Sequence, residues 1–520
     1  MTSPAAQRRV FLRPGCWVIV LTLGLALLVL RHAPAATRGA QPSDDAYARD
    51  LAGYARSFAE SESRKDLLGL QGCASCHDRK DPPRTDQEQL AWYAGGFGAH
   101  ARAYQTLTEA RSDRMAAYLH AQDNKGSKAI ERADCLACHS ERAGGLAPKS
   151  GVMTTGVGCE MCHGRSSAWD TPHRFPDWKT KSAKDWLDAG MYDTRNIARW
   201  APKCLECHLG GPHGRRAPHS LLAAGHPQLT FELAGDTFLV PKHWRDERTR
   251  LEGEDPAAYY ARLWAVGQAV TLYESMRLLI EWADSSQAPD YALFDCFSCH
   301  HEYRVADGRT PALPRFGQPG EPKWDMTPWI GGRALLNVFE PERADEAEAL
   351  VRQILRGLRL HAAEPAPVRA AAARLRELAE SLAYKVGERR FSREDVVGLC
   401  RQLTAEPDYV LAAGPRATEQ TYRGLRALYQ RAWPGERPAN DEAIRRELAE
   451  LERLLYGRDQ LDQQARVWKE EWPAVAKERN REPVELELEL RPGFDLSELR
   501  ARITGLSKLF PQSPAPPPTP

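Results

Sequence analysis

The chain has 520 residues, which is too long for one ordinary hydrophobic core, so we expect two or more domains. Its 71 Lys and Arg residues are balanced by 70 Asp and Glu residues, so no basic excess is available for a phosphate backbone and no nucleic-acid partner is expected. Hydrophobic residues make up 42% of the chain, which excludes disorder over most of its length.

The N-terminal region has the pattern of an export signal. Arg8, Arg9 and Arg13 precede an apolar run over residues 16–30, and small residues at 33–36 follow it as a cleavage site. We therefore predict that residues 1–36 are a signal peptide or an N-terminal anchor. The apolar run is about 15 residues and a full span needs about 20, so cleavage is favoured over anchoring in the inner membrane. Either reading predicts a periplasmic protein.

Two regions of different character follow the leader. Residues 44–330 are rich in Gly, Pro, Trp and His and show broken periodicity, which is typical of short helices and loops around a cofactor. Residues 341–512 show apolar positions three and four apart among Arg and Glu, which predicts a helical domain. Within it, residues 484–490 alternate as one short strand does, and residues 513–520 form a Pro-rich tail. The predicted fold is mostly α, with little regular sheet.

The cysteines carry the most specific signal. Ten of the 12 cysteines form five Cys-x-x-Cys pairs, each followed directly by His. The pairs are Cys73 and Cys76, Cys135 and Cys138, Cys159 and Cys162, Cys204 and Cys207, and Cys296 and Cys299, and the histidines after them are His77, His139, His163, His208 and His300. By chance, such a composition gives about 0.01 of these motifs per chain.

This motif attaches c-type haem. The two thiols form thioethers with the porphyrin vinyl groups, and the adjacent His coordinates the iron from the proximal side. Zinc also uses Cys-x-x-Cys pairs, but tetrahedral zinc does not require His after the second Cys five times. Disulfides are the other alternative, although pairs at this spacing are typically redox-active. We predict five c-type haems in the first region and none in the helical domain.

Eight further histidines are candidates for the distal side of the irons. They are His100, His120, His173, His213, His219, His226, His243 and His301. We prefer His100, His173, His219, His226 and His243. His100 opens a helical stretch whose face continues through Tyr104 and Leu107 to Tyr118. His219 and His226 flank a short helix ended by Gly225, so the two rings can reach two different haems.

The chain resembles the multihaem cytochromes related to the tetrahaem protein that accepts electrons from hydroxylamine oxidoreductase. The matching features are Gly158–Gly164 around the third motif, the His100 helix, Ala223–Leu229 with Phe231–Leu233, and Asp295–His301 around the fifth motif. The resemblance implies His on both faces of most irons, haems in stacked and perpendicular pairs, and one five-coordinate iron in the tetrahaem protein. The fifth motif and the long helical region depart from that pattern.

We interpret the chain as a periplasmic electron-transfer protein with five haems and redox partner proteins. A homo-oligomer and a hetero-oligomer are both compatible with the sequence. The alternative is an oxidoreductase that acts on a small nitrogen or sulfur compound at one five-coordinate haem. Electron transfer is preferred over an enzyme, because no Cys-x-x-Cys-Lys motif of a lysine-ligated active haem occurs. No catalytic residue is assigned.

Overall fold

A computed structural model describes residues 49–77, 99–141, 156–239, 250–300, 316, 322–359, 362–433, 435–457 and 495–510. The predicted leader and anchor, the predicted strand at 484–490, the Pro-rich tail and His243 lie outside these residues. The described part lies in one compact unit that begins at Arg49.

The region of the five motifs consists of short helices and one long helix. The α-helices are α1 Leu51–Glu62, α2 Leu70–His77, α3 Ala99–Thr106, α4 Ala110–Asp123, α5 Ala133–His139, α6 Cys159–His163, α7 Ala183–Ala189, α8 Ile197–Leu205, α9 His219–Ala223, α10 Leu233–Leu239 and α11 Pro256–Ala283. A π-helical turn Glu206–Gly210 extends α8, and 3-10 turns cover Ala129–Glu131, Pro172–Arg174, Pro176–Thr180, Tyr291–Leu293 and Cys296–Ser298.

Longer helices follow the motif region. They are α12 Thr327–Phe339, α13 Pro341–Gly357, α14 Pro365–Gly387, α15 Arg393–Thr404, α16 Pro407–Ala413, α17 Pro415–Leu425, α18 Asp441–Tyr456 and α19 Leu496–Leu509, with a π-helical turn Arg426–Arg431 after α17. Within the described residues, strand pairing is limited to a single bridge between Phe294 and Trp324. The prediction of a mostly α fold is confirmed.

Local sequence explains where many of these helices begin. Asp50 and Asp255 accept hydrogen bonds from backbone N–H groups in the first turns of α1 and α11. Ser392 and Asp395 form a capping box at the start of α15. Proline occupies the first turn of α11 to α14, α16 and α17, where a missing N–H costs no hydrogen bond.

One hydrophobic cluster extends through both predicted regions. It contains Leu51, Leu205 and Leu272 from the motif region, and Leu375 and Phe510 from the region without motifs. The long helix α11 is buried along most of its length and packs against α14. The boundary between residues 330 and 341 therefore separates the part with haem motifs from the part without them, while apolar packing continues across it.

No described helix combines the length and apolarity that a bilayer span needs.

Candidate functional site

Each of the five motifs lies at a helix end or on a helical turn. The first three end α2, α5 and α6 at His77, His139 and His163. The fourth runs from the end of α8 into the π-helical turn, and the fifth lies on the last 3-10 turn. None of the ten motif cysteines forms a disulfide. Both sulfur atoms of each pair are therefore available for thioether bonds.

The structure brings four predicted distal histidines opposite four motif histidines. The ring centroids of His77 and His173 are 6.1 Å apart. The other pairs are His100 with His208 at 6.1 Å, His139 with His226 at 6.3 Å, and His219 with His300 at 6.4 Å.

These distances match the spacing that a bis-histidine iron needs. A metal–nitrogen bond is about 2.0 Å and the nitrogen lies about 1.1 Å from its ring centroid, so two axial imidazoles place their centroids about 6 Å apart. Two imidazoles that stack on or hydrogen-bond to each other directly do not need centroids about 6 Å apart. The four pairs therefore fit haem irons held between them.

Hydrogen bonds at Nδ1 orient several of these rings. His173 Nδ1 lies 3.1 Å from the Trp169 carbonyl, His139 Nδ1 lies 2.9 Å from the Ala103 carbonyl, and His226 Nδ1 lies 2.7 Å from the Pro227 carbonyl. A carbonyl oxygen only accepts, so Nδ1 carries the proton in each ring and Nε2 has a free lone pair. Burial lowers the pKa of His139 and of His226, which keeps these rings neutral, the form that binds metals.

The short helix α9 supplies rings to two motifs, as the sequence predicted it could. His219 is its first residue and faces His300 of the fifth motif. The helix ends at Ala223, Gly225 then turns the chain with a φ of +105°, and His226 faces His139 of the second motif. Gln228 Oε1 lies 3.2 Å from Cys296 Sγ. This segment thus joins the second and fifth motifs.

Contacts between cysteines set the order of the other motifs. Cys73 of the first motif and Cys159 of the third are within hydrogen-bonding reach, as are Cys138 of the second and Cys207 of the fourth. The first motif therefore lies beside the third, the second beside the fourth, and the fifth beside the second.

The other motif histidine and the other distal candidates are not part of these four ring pairs. His163 is half-buried at the end of α6, and His243 lies outside the described residues, as does His301. His120 is near the end of α4, where its Nδ1 bonds to the Lys125 carbonyl. His213 is an exposed turn residue with a φ of 60°. The prediction that His243 is a distal ligand stays a prediction.

Sequence reasoning missed buried polar residues that hold the motifs together. Glu160, inside the third motif, accepts hydrogen bonds from Leu68 N at 3.1 Å, Gly69 N at 2.5 Å and Ser166 N at 2.7 Å, and so fixes the segment before the first motif. Arg215 contacts three motifs at once. An acidic residue between two motif cysteines was a usable signal for Glu160, whereas nothing in the local sequence distinguishes Arg215.

Known proteins give a consistent picture. Residues 72–164, which contain the first three motifs, match the family described as Cytochrome c554 and c-prime. The cytochrome c-554 of Nitrosomonas europaea is 27% identical over 170 residues, covering 29% of this chain and 63% of that protein. The chain thus spans less than two thirds of the curated relative's length. No solved structure matches the chain. The resemblance to multihaem c-type cytochromes is confirmed, and with it covalently bound c-type haem.

Proposed function

We propose that this chain is a periplasmic electron-transfer cytochrome that holds five covalently bound haems. The observation that carries the proposal is the set of four histidine pairs whose centroid distances, 6.1 to 6.4 Å, suit two ligands of one iron. When bound, the haem iron takes up and releases single electrons. An iron with two His ligands has no open position for a substrate, which favours electron transfer over catalysis.

We assign the distal ligands as His173 for the first motif, His226 for the second, His100 for the fourth and His219 for the fifth. His243 is proposed for the third motif, whose proximal ligand is His163. The ten motif cysteines hold the porphyrins. Because carbonyl bonds at Nδ1 fix the rings of His139, His173 and His226, these ligands move little when the charge at the iron changes.

The order of the motifs supports a continuous route for electrons. Cysteine contacts link the first motif to the third and the second to the fourth. Arg215 links the second, third and fourth motifs, and the segment from His219 to Gln228 links the second to the fifth. The first and fifth motifs are then the two ends of the route. Phe175 beside the first end and Tyr291 beside the fifth end are large exposed side chains, with 58% and 49% exposure. Redox partner proteins are proposed to dock near these ends.

Mass spectrometry and electron paramagnetic resonance test the proposal on the mature protein. We expect a mass that includes five haems and lacks the leader up to residue 35 or 36. We also expect the oxidised irons to be low-spin. A mass equal to that of the unmodified polypeptide would refute haem attachment.

The same spectrum separates electron transfer from the enzymatic alternative. A large high-spin signal that shifts when cyanide or hydroxylamine is added would identify an open iron and favour the oxidoreductase. Replacing His243 with Ala then tests its assignment. The variant should convert one low-spin iron to high-spin, while an unchanged spectrum would remove His243 from the ligand set.

A further inference from the structure

Arg215 occupies an unusual position between three haem motifs. It lies in the loop between the fourth motif and α9 and is only 7% exposed. Its neighbour Arg216 has a side chain that is 52% exposed and pairs with Glu281 at the surface. The two adjacent arginines therefore have the same chemistry and very different surroundings.

Each nitrogen of the Arg215 guanidinium faces a different motif. Nε donates to the carbonyl oxygen of Ala137 at 3.1 Å, Nη1 pairs with the carboxylate of Glu206, and Nη2 lies 3.8 Å from the sulfur of Met161. Ala137, Met161 and Glu206 are the residues immediately before the second cysteine of the second, third and fourth motifs. One side chain thus contacts the same position in three motifs.

The positive charge of Arg215 is only partly neutralised by its neighbours. Glu206 offsets part of this charge, but Lys203 pairs with the same carboxylate at 2.9 Å and is 8% exposed. Two buried cations therefore share one carboxylate, and the cluster remains positive.

We propose that Arg215 is a positioning residue that fixes the second, third and fourth haem motifs relative to one another and raises the reduction potentials of their haems. This inference rests on the proposed function. A positive charge in a poorly hydrated site favours the reduced iron, because reduction adds an electron and interactions are weakly screened there. Burial and charge near a haem are recognised determinants of its potential. The first and fifth haems lie beyond these contacts and should respond much less.

The test is a potentiometric titration of the mature full-length protein, with dithionite as reductant and the haem absorption bands as readout. Arg215→Gln removes the charge and keeps a donor for Ala137, Arg215→Lys keeps the charge, and Arg216→Gln is the matched surface control. We expect Arg215→Gln to shift the components of two or three haems to lower potential. Arg215→Lys should stay close to the wild type, and Arg216→Gln should leave the curve unchanged.

Two results would overturn the inference. One is an Arg215→Gln protein with five haems and an unaltered titration curve. The other is an equal shift in Arg216→Gln, since this would show that the effect is not specific to the buried position. Haem counting on the wild type is done first. A wild type without haem contradicts the proposed function itself, whereas a loaded wild type with an insensitive Arg215 contradicts only this inference.

Discussion

The imidazole rings of His139 and His226 face each other at 6.3 Å with their planes at 89°, almost perpendicular. The rings of His77 and His173 lie at nearly the same distance, 6.1 Å, but their planes differ by only 10°. The pairs His219 with His300 and His100 with His208 have angles of 25° and 69°. The protein therefore sets two parallel and two crossed arrangements.

These angles predict two classes of signal in the electron paramagnetic resonance spectrum of the oxidised protein. Parallel imidazole planes separate the two iron d orbitals of π symmetry and give a rhombic low-spin signal, whereas crossed planes leave them nearly equal in energy and give a highly anisotropic one. We expect both classes in similar amounts. His226→Ala should remove an anisotropic signal and His173→Ala a rhombic one. A spectrum with a single class would contradict the ring geometry.

Asp290 should control the position of the distal ligand His219. Its Oδ1 accepts hydrogen bonds from His219 N at 2.9 Å and from Ala292 N at 2.8 Å, so one oxygen joins the start of α9 to the turn before the fifth motif. We expect Asp290→Ala to convert part of one low-spin iron to high-spin. Asp290→Asn retains an oxygen acceptor and should behave as the wild type. Equal spectra for Asp290→Ala and wild type would show that the contact is dispensable.

Local patterns in the sequence were sufficient to predict the motifs and the mostly α fold. They also predicted that His219 and His226, on either side of α9, reach two different motifs. The glycine at 225 followed by His226 and Pro227 encodes a helix end and an extended residue, and that geometry depends on neighbours in sequence. The pairing of distal and motif histidines could not be predicted in the same way. His100 of α3 meets His208 of the π-helical turn through tertiary packing, which the periodicity of the sequence does not reveal.

One other interpretation was wrong because a local pattern does not contain tertiary packing. The helical face from His100 to Tyr118 is interrupted at Leu107–Glu109, which separates α3 from α4, and Tyr118 is 50% exposed. The helical domain predicted over residues 341–512 stays a prediction, and buried residues of its helices belong to the same cluster as α11.

Glu232 should make stability depend on pH. Burial raises the pKa of this carboxyl to about 7, and its oxygens accept hydrogen bonds from Ala234 N and Gly235 N at 2.9 and 2.6 Å. The neighbouring charged groups are Asp236 and Arg423, which pair with each other. A carboxyl whose pKa is raised on folding stabilises the protein below its ordinary pKa of about 4.5, and that stabilisation is lost as the pH rises to about 7.

We therefore expect the protein to become less stable as the pH rises from 5 to 8. The free energy of unfolding should decrease by on the order of 3 kcal/mol, and the urea midpoint should decrease with it. Glu232→Gln should remove most of this pH dependence, because the amide does not ionise. The exposed Glu377→Gln is a suitable control, since a surface carboxyl has little effect on stability. An equally steep profile in Glu232→Gln would assign the dependence to another group.

The shared core predicts that the helices without motifs and the motif region unfold together. Leu375 in α14 and Leu272 in α11 are both fully buried in the same cluster, and Tyr273 of α11 accepts a hydrogen bond from Arg376 Nη2 of α14 at 2.6 Å. Truncating a buried leucine to alanine costs about 2–5 kcal/mol, because transfer energy is lost and a cavity remains. Leu375→Ala should therefore destabilise the motif region, although this residue lies far from every motif in the sequence.

Urea unfolding of the full-length protein, followed in parallel by far-ultraviolet circular dichroism and by the haem absorption band, measures this coupling. Both probes should give one midpoint, and Leu375→Ala should lower the two midpoints by the same amount. Glu377→Ala, on the exposed side of α14, should change the free energy of unfolding from either probe by no more than about 0.5 kcal/mol. If Leu375→Ala lowers the dichroism midpoint and leaves the haem midpoint in place, the helices without motifs unfold independently and form a domain of their own, as the boundary between residues 330 and 341 predicts.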